Sequence, residues 1–183
     1  MNDAPIATAD LTGTTNEDQS VVVTLSGSDI DGDALSFSLD TDASNGSVVV
    51  DGSVATYTPS TNFNGSDSFT FMVSDGELTD TDTVTLTIEA VNDAPVLASV
   101  SDVSFNEDDS GSISLSASDI DEDNLTFSIT EGSDITALLD GSDVTFSAPA
   151  NYNGSETFTI SVSDGDLTDS QSCLLYTSPS PRD

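Results

Sequence analysis

The tetrapeptide Asn2-Asp3-Ala4-Pro5 returns as Asn92-Asp93-Ala94-Pro95, ninety positions later. Asn16-Glu17-Asp18 returns at the same offset as Asn106-Glu107-Asp108, and Ser28-Asp29-Ile30-Asp31 as Ser118-Asp119-Ile120-Asp121. Farther along the offset falls to 89: Asp51-Gly52-Ser53 matches Asp140-Gly141-Ser142, and Ser74-Asp75-Gly76 matches Ser163-Asp164-Gly165. One residue is therefore lost from the second copy, opposite positions 40 to 50 of the first. A chain that repeats itself in this way folds the same unit twice, which excludes any fold needing the whole length.

Within a unit the apolar residues alternate with polar ones, as in Leu35-Ser36-Phe37-Ser38-Leu39 and Val84-Thr85-Leu86-Thr87-Ile88. That period belongs to half-buried strands, and no window keeps a helical period. Val, Ile, Leu and Phe make up about a quarter of the chain, enough to argue against disorder despite the charge. Strand-like runs fall at about 6–11, 20–25, 35–39, 46–50, 54–58, 67–74 and 83–90, separated by Gly, Asn, Asp and Ser. Asp51-Gly52 reads as the two-residue turn of a hairpin. The expectation is all-β: two tandem Greek-key β-sandwiches of about seven strands each. They span 1–91 and 92–172, and no flexible spacer separates them. Pro95 holds Ala94 extended at the joint.

Residues 173–183, CLLYTSPSPRD, depart from this pattern and hold the only Cys, the only Arg and two of six prolines. The string resembles a translated sequencing adapter. It is expected to lie outside the fold, leaving the second repeat without its last strand. Without Cys173 the chain has no thiol, so neither disulfides nor thiol chemistry is expected.

Charge removes whole classes of function. Thirty-four acidic residues against one basic residue and no His give a net charge of −33. There is no imidazole base and no lysine for a Schiff base or a phosphate loop. A nucleic-acid partner would be repelled, as would an anionic membrane. No apolar run is long enough to span a bilayer. Hard divalent cations are what such a chain attracts, since they prefer carboxylate and carbonyl oxygens.

Each unit carries the same acidic set. It comprises Glu17 or Glu107 after the first strand, the pairs Asp29/Asp31 and Asp119/Asp121, and the segments Asn64 to Asp67 and Asn153 to Glu156. Asp75 or Asp164 and the Asn-Asp of the linker complete it. Crowded carboxylates repel, and the set contains no basic residue to offset them. An EF-hand loop would need Gly at its sixth position and Glu at its twelfth, where Ala34 and Asp40 stand. That motif is excluded.

Plainer readings apply to other acids. Asp51 and Asp140 are turn formers. Asp33 and Asp123 are divided between turn and metal, and Asp80 and Asp82 suit a solvated face. Four Asn-x-Ser/Thr sequons, three of them Asn-Gly turns, carry no weight. Phe69, Phe71 and Phe158 suit a core. A glycosidase-like enzyme is disfavoured because short strands imply no deep pocket. A carbohydrate-binding module shares the architecture and is the alternative, but there is no Trp, and outside the tail Tyr57 and Tyr152 are the only tyrosines.

The ordered set of motifs resembles tandem cadherin-like repeats of large bacterial surface and secreted proteins, the type that opens on VNDAPV. The matching pieces are Val91 to Val96, Thr15 to Glu17, Ser28 to Asp33, Tyr57 to Pro59, Phe63 to Gly65 and Phe71 to Gly76. The resemblance implies Ca2+ between consecutive repeats. The upper repeat would donate Glu17, Asn64 or Asp67, Asn92 and Asp93, and the lower Asp119, Asp121 and Asp164. Asn2, Asp3, Asp29, Asp31 and Asp75 would form the matching half of a joint with a preceding repeat. It further implies a non-enzymatic, calcium-stiffened spacer at the bacterial surface or outside the cell. Its partners would be neighbouring repeats of the same parent chain, with any cell-surface or carbohydrate ligand held by other domains.

Overall fold

The computed structural model describes residues 2–179. The chain divides into two compact units at Val91 and Asn92, and every ordered element among the described residues is a strand.

The first unit runs β1 (Ile6–Ala7), β2 (Leu11–Asn16), β3 (Val21–Thr24), β4 (Gly27–Ser28), β5 (Ser36–Thr41), β6 (Gly46–Asp51), β7 (Val54–Pro59), β8 (Gly65–Ser74) and β9 (Thr79–Glu89). One sheet has the order β2-β9-β8-β5, the other β3-β7-β6, and β1 pairs with β4. All pairings are antiparallel except β2 with β9, which is parallel. Alternation in the sequence becomes burial here. Val84, Leu86 and Ile88 of β9 and Phe69, Phe71 and Val73 of β8 are buried, while the threonines between the β9 core residues face solvent. Tyr57, Ala55, Val23 and Val48 close the core from the other sheet. At about 1.5–3 kcal/mol per large apolar side chain, these contacts are the main stabilising term.

The second unit repeats the design with β10 (Val96–Leu97), β11 (Val103–Asn106), β12 (Ser110–Ser114), β13 (Ala117–Ser118), β14 (Thr126–Ile129), β15 (Thr136–Asp140), β16 (Asp143–Ser147), β17 (Ser155–Ser163) and β18 (Thr168–Ser178). Its sheets are β11-β18-β17-β14 and β12-β16-β15, with β10 paired to β13. The core holds Phe146, Phe158, Ile160, Val162, Val144 and Leu175. Phe146 and Phe158 pack tilted, with ring centroids 5.3 Å apart.

Three expectations are corrected. The run at 6–11 is two elements, β1 and β2, and most of β2 lies beyond it. The signal is missing because the inward position of β2 is Gly13, where an added Cβ would lie 2.9 Å from Leu86 and from Val23. The hairpin turn is Gly52-Ser53, not Asp51-Gly52: Asp51 pairs with Val54, and Gly52 takes φ 59 at the leading position of the loop. Gly141-Ser142 repeats this, with Asp140 paired to Asp143.

The third correction concerns the tail. Residues 173–178 complete β18, which pairs antiparallel with β17 and parallel with β11. Cys173 and Leu175 are fully buried and Thr177 is 7% exposed, while Leu174 and Tyr176 point outward. The segment keeps the period of two, and it fills the places that Val84, Leu86 and Ile88 hold in the first unit. Residues 180–183 lie outside the described residues.

Candidate metal centre

At the end where the chain enters each domain, the same three segments meet. In the first, Asn2 Nδ2 donates to Asp75 Oδ2 at 3.0 Å, and the Asp3 N–H donates to Asp31 Oδ2 at 2.8 Å. In the second, Asn92 Nδ2 donates to Asp164 Oδ2 at 2.9 Å, and the Asp93 N–H donates to Asp121 Oδ2 at 2.7 Å. Two separate stretches of sequence thus build one geometry.

Local chemistry fixes each part. Pro5 and Pro95 are buried and anchor the entering segment. The Asp75 Oδ1 accepts from the N–H groups of Glu77 and Leu78, both at 2.7 Å, which folds the β8–β9 turn around it. Those two bonds, Leu78 the stronger, hold its carboxyl below the ordinary aspartate range. Asp164 is lowered likewise, first by Asn92 and then by the Leu167 N–H. The Asp29 Oδ1 accepts from the Asp31 N–H at 2.8 Å and the Asp33 N–H at 3.2 Å, and the Asp119 Oδ1 from Asp121 at 2.9 Å.

Asp29, Asp31 and Asp33 each bring a carboxylate oxygen within 4.8 Å of the others, and so do Asp119, Asp121 and Asp123. Like charges that close repel by about 1 kcal/mol per pair even at the dielectric of bulk water. The second oxygens of Asp29 and Asp119 are shut off from solvent with no hydrogen-bond donor. A carboxylate oxygen in that condition is costly unless a cation meets it. With one basic residue in the whole sequence, the protein cannot supply that cation from its own described side chains. A set made only of hard oxygens, with no His and no nearby thiolate, fits Ca2+, Mg2+ or Mn2+ and not the softer transition metals.

At the other end of the first domain Glu17 is 4% exposed. Its N–H donates to the Glu89 carbonyl at 2.9 Å, and its Oε1 accepts from the Val91 N–H at 2.5 Å. Glu107 is similarly buried, with its N–H on the Ser178 carbonyl at 2.8 Å. Asn64 is exposed in the loop before β8.

Asp67 has a different job from the one expected of it. It is 8% exposed and accepts from the Ser44, Asn45 and Ser68 N–H groups and from the Tyr57 hydroxyl. Burial opposes its ionisation, but the hydrogen bonds from Asn45, Ser68, Tyr57 and Ser44 outweigh it and bring the carboxyl below its ordinary value. Burial, and then the Asp67 bond and charge, push the Tyr57 hydroxyl far up. Both Asp67 oxygens are therefore committed to pinning the β5–β6 loop. Glu156 does the same in the second domain through Ser133, Asp134 and Ile135.

Asp80 is not a solvated surface acid. Its Oδ2 accepts from the Ala7 N–H at 2.8 Å and holds β1 in place, as Asp169 does for Leu97. Nothing in the sequence distinguishes it from Asp82, because the bond joins residues 73 apart.

The model of the bacterial Ig domain family matches residues 2–87 and again 92–174. Two crystal forms of human protocadherin-24 EC1-2 share the fold. One has a TM-score of 0.63 at 17% identity, covering 99% of this chain and all of that one. The other has 0.64 at 18%, covering 98% and 100%. An endo-fucoidan hydrolase of glycoside hydrolase family 107, MfFcnA4, aligns at a TM-score of 0.43 and 21% identity over 97% of this chain. The chain spans 29% of that enzyme's length. No curated protein matches the sequence significantly.

Proposed function

The chain belongs to the bacterial Ig domain family as two copies in tandem, and from that premise we propose that it is a calcium-binding, calcium-stiffened spacer of an extracellular or surface-attached bacterial adhesin. The observation that carries this reading is the doubled entry-end constellation, with a buried carboxylate oxygen in each copy that no donor satisfies. Asn92, Asp93, Asp119, Asp121 and Asp164 would hold the ion at the entry end of the second domain, with Glu17 and Asn64 proposed as further donors. Asn2, Asp3, Asp29, Asp31 and Asp75 are the equivalent set at the entry end of the first domain. Asp67 is left out, since its oxygens already serve its own loop. Bound calcium supplies charge compensation and a common anchor. The residues themselves position the oxygens and hold the linker against the domain.

The carbohydrate-binding alternative gains nothing from the fold. Tyr57 is fully buried and Tyr152 half-buried, which leaves Tyr176 on the outer face of β18 as the exposed tyrosine among the described residues.

The test has two readouts. Extracellular calcium modules bind at roughly 10⁻⁴–10⁻³ M. Tenfold excess over Kd then adds about 1.4 kcal/mol per site. That corresponds to a rise in Tm of about 5–10 °C for a domain of this size. Small-angle scattering should show a longer, better-defined maximum dimension in calcium than in chelator, and Asp93→Ala should remove most of the difference. A flat melting temperature sinks calcium binding. If sodium at equal ionic strength reproduces the scattering change, screening rather than a bound ion is responsible and the stiffening is refuted.

A further inference from the structure

The second domain has an open sheet edge where the matching edge of the first domain is covered. β15 (Thr136–Asp140) lies at the margin of the sheet β12-β16-β15. Its register with β16 is regular, and Asp140 pairs with Asp143 across a two-residue turn. In such a hairpin the pair nearest the turn is hydrogen-bonded, and bonded and unbonded pairs alternate from there. Thr136, Leu138 and Asp140 therefore direct their N–H and C=O groups to β16, and Ala137 and Leu139 direct theirs away from it. Neither outward N–H donates to any group among the described residues. The strand has no Pro, no basic residue and no bulge, the usual means of blunting an edge.

The first domain differs at this place. The Val48 N–H, the counterpart of that of Ala137, donates to Asp42 Oδ1 at 2.9 Å, so a carboxylate covers the edge of β6. The second copy is one residue shorter in the loop that carries Asp42. Beside the uncovered edge lies a groove of about 420 Å³ lined by Leu125, Thr126, Phe127, Leu139, Gly141 and Ser142. On the opposite face of the strand Leu138 is 67% exposed.

We propose that β15 is a docking site for an extended, basic peptide segment of another protein, which joins the sheet as a fourth strand. Backbone pairing with Ala137 and Leu139 supplies the affinity. Alternate side chains of the segment supply the fit, one set lying over Leu138 and the other entering the groove toward Leu139 and Phe127. Charge selects the partner's sign. Glu131 and Asp134 before the strand and Asp140 at its end are exposed, in a chain of net charge −33. A second copy of the chain would bring an equal negative charge to this edge and is opposed by it. A segment with Lys or Arg at its ends meets those carboxylates instead. The site does not depend on the calcium reading.

The probe is a capped peptide of alternating valine and threonine with a lysine at each end, followed by fluorescence anisotropy as the whole chain is added in chelator. A peptide of equal charge with proline in place of each threonine cannot pair along its backbone and serves as the control. The first peptide should bind at one equivalent, more weakly at high salt, and should slow amide exchange at Ala137 and Leu139 by NMR; the control should do neither. Ala137→Pro removes an outward donor and leaves the ladder to β16 alone, and should weaken binding about tenfold. Leu138→Thr, on the solvent face, should also weaken binding while the melting temperature stays the same. Asp42→Ala should uncover Val48 and add a second equivalent. Equal binding of the two peptides reduces the effect to charge and overturns the proposal, as does full-strength binding by both Ala137→Pro and Leu138→Thr. Self-association that rises with concentration in sedimentation and is lost in Ala137→Pro makes a second copy the occupant and overturns the basic partner. Binding that stays at one equivalent in Asp42→Ala overturns the covering role given to Asp42.

Discussion

Glu122 occupies a backbone conformation that its counterpart occupies as glycine. Gly32 sits at φ 79 and Glu122 at φ 63, at matching positions of the two Asp-x-Asp loops. Space is not the constraint, since a Cβ at Gly32 would meet nothing within 4 Å. What Glu122 bears is the left-handed backbone, which costs a residue with a side chain about 1–2 kcal/mol. Replacing it by Gly removes that cost but returns roughly 0.5–1 kcal/mol through the greater freedom of glycine in the unfolded chain. The net gain expected for Glu122→Gly is about 0.5–1 kcal/mol, or about 3–6 °C in the melting of the second domain. The variant also removes a charge beside three aspartates, so Glu122→Ala is the essential companion: it removes the charge and keeps the strain. Urea denaturation in chelator, following the second domain's transition, should show Glu122→Gly stabilised and Glu122→Ala within about 0.5 kcal/mol of wild type. Gly32→Ala should lose in the first domain about what Glu122→Gly gains in the second. Equal stabilisation by Ala and Gly would mean that repulsion, not backbone strain, sets the loop's energy, and the argument from φ would fail.

Asp67→Asn should destabilise the first domain by roughly 2–4 kcal/mol, because it replaces a charged acceptor of several hydrogen bonds. The folded carboxyl titrates below its unfolded value, so its contribution is complete above about pH 3.9 and is lost as pH falls through the lower folded pKa. The variant should accordingly flatten the acid limb of that domain's stability curve, and an unaltered limb would contradict the assignment. Ending the chain after Ser172 should unfold the second domain. It strips Cys173 and Leu175 from the core, at about 1.5–3 kcal/mol for the leucine alone, and deletes every partner of β11. A second domain that still melts cooperatively without those residues would show that β18 past Ser172 is dispensable.

The sandwich was legible because its core is written as alternation. Phe69, Phe71 and Val73, or Val84, Leu86 and Ile88, announce both the strand and its inward face. β2 was illegible because its buried position is a glycine, which carries no hydrophobic signal even though it is buried as tightly as a leucine. The tail misled for the opposite reason. Its composition is foreign to the rest, yet a strand asks only for a small or apolar residue at every second place, and Cys173, Leu175 and Thr177 satisfy that. The doubled acidic set was visible as repetition. The division of labour among the acids was not, because Asp67 and Asp80 take their roles from N–H groups 22 and 73 residues away that only the fold brings to them.

The parallel pairing of each domain's β2-type strand with its last strand bears on how the molecule carries a load. A pull on the two ends of a domain drags these neighbouring strands past each other along their length, so their cross-links are stressed together and not unzipped in turn. The first domain opposes such shear with six registered pairs, Leu11–Asn16 against Val84–Glu89. The second has four, Val103–Asn106 against Leu175–Ser178. Under rising tension the second domain is then the link that gives way first, paying out slack while the first remains intact.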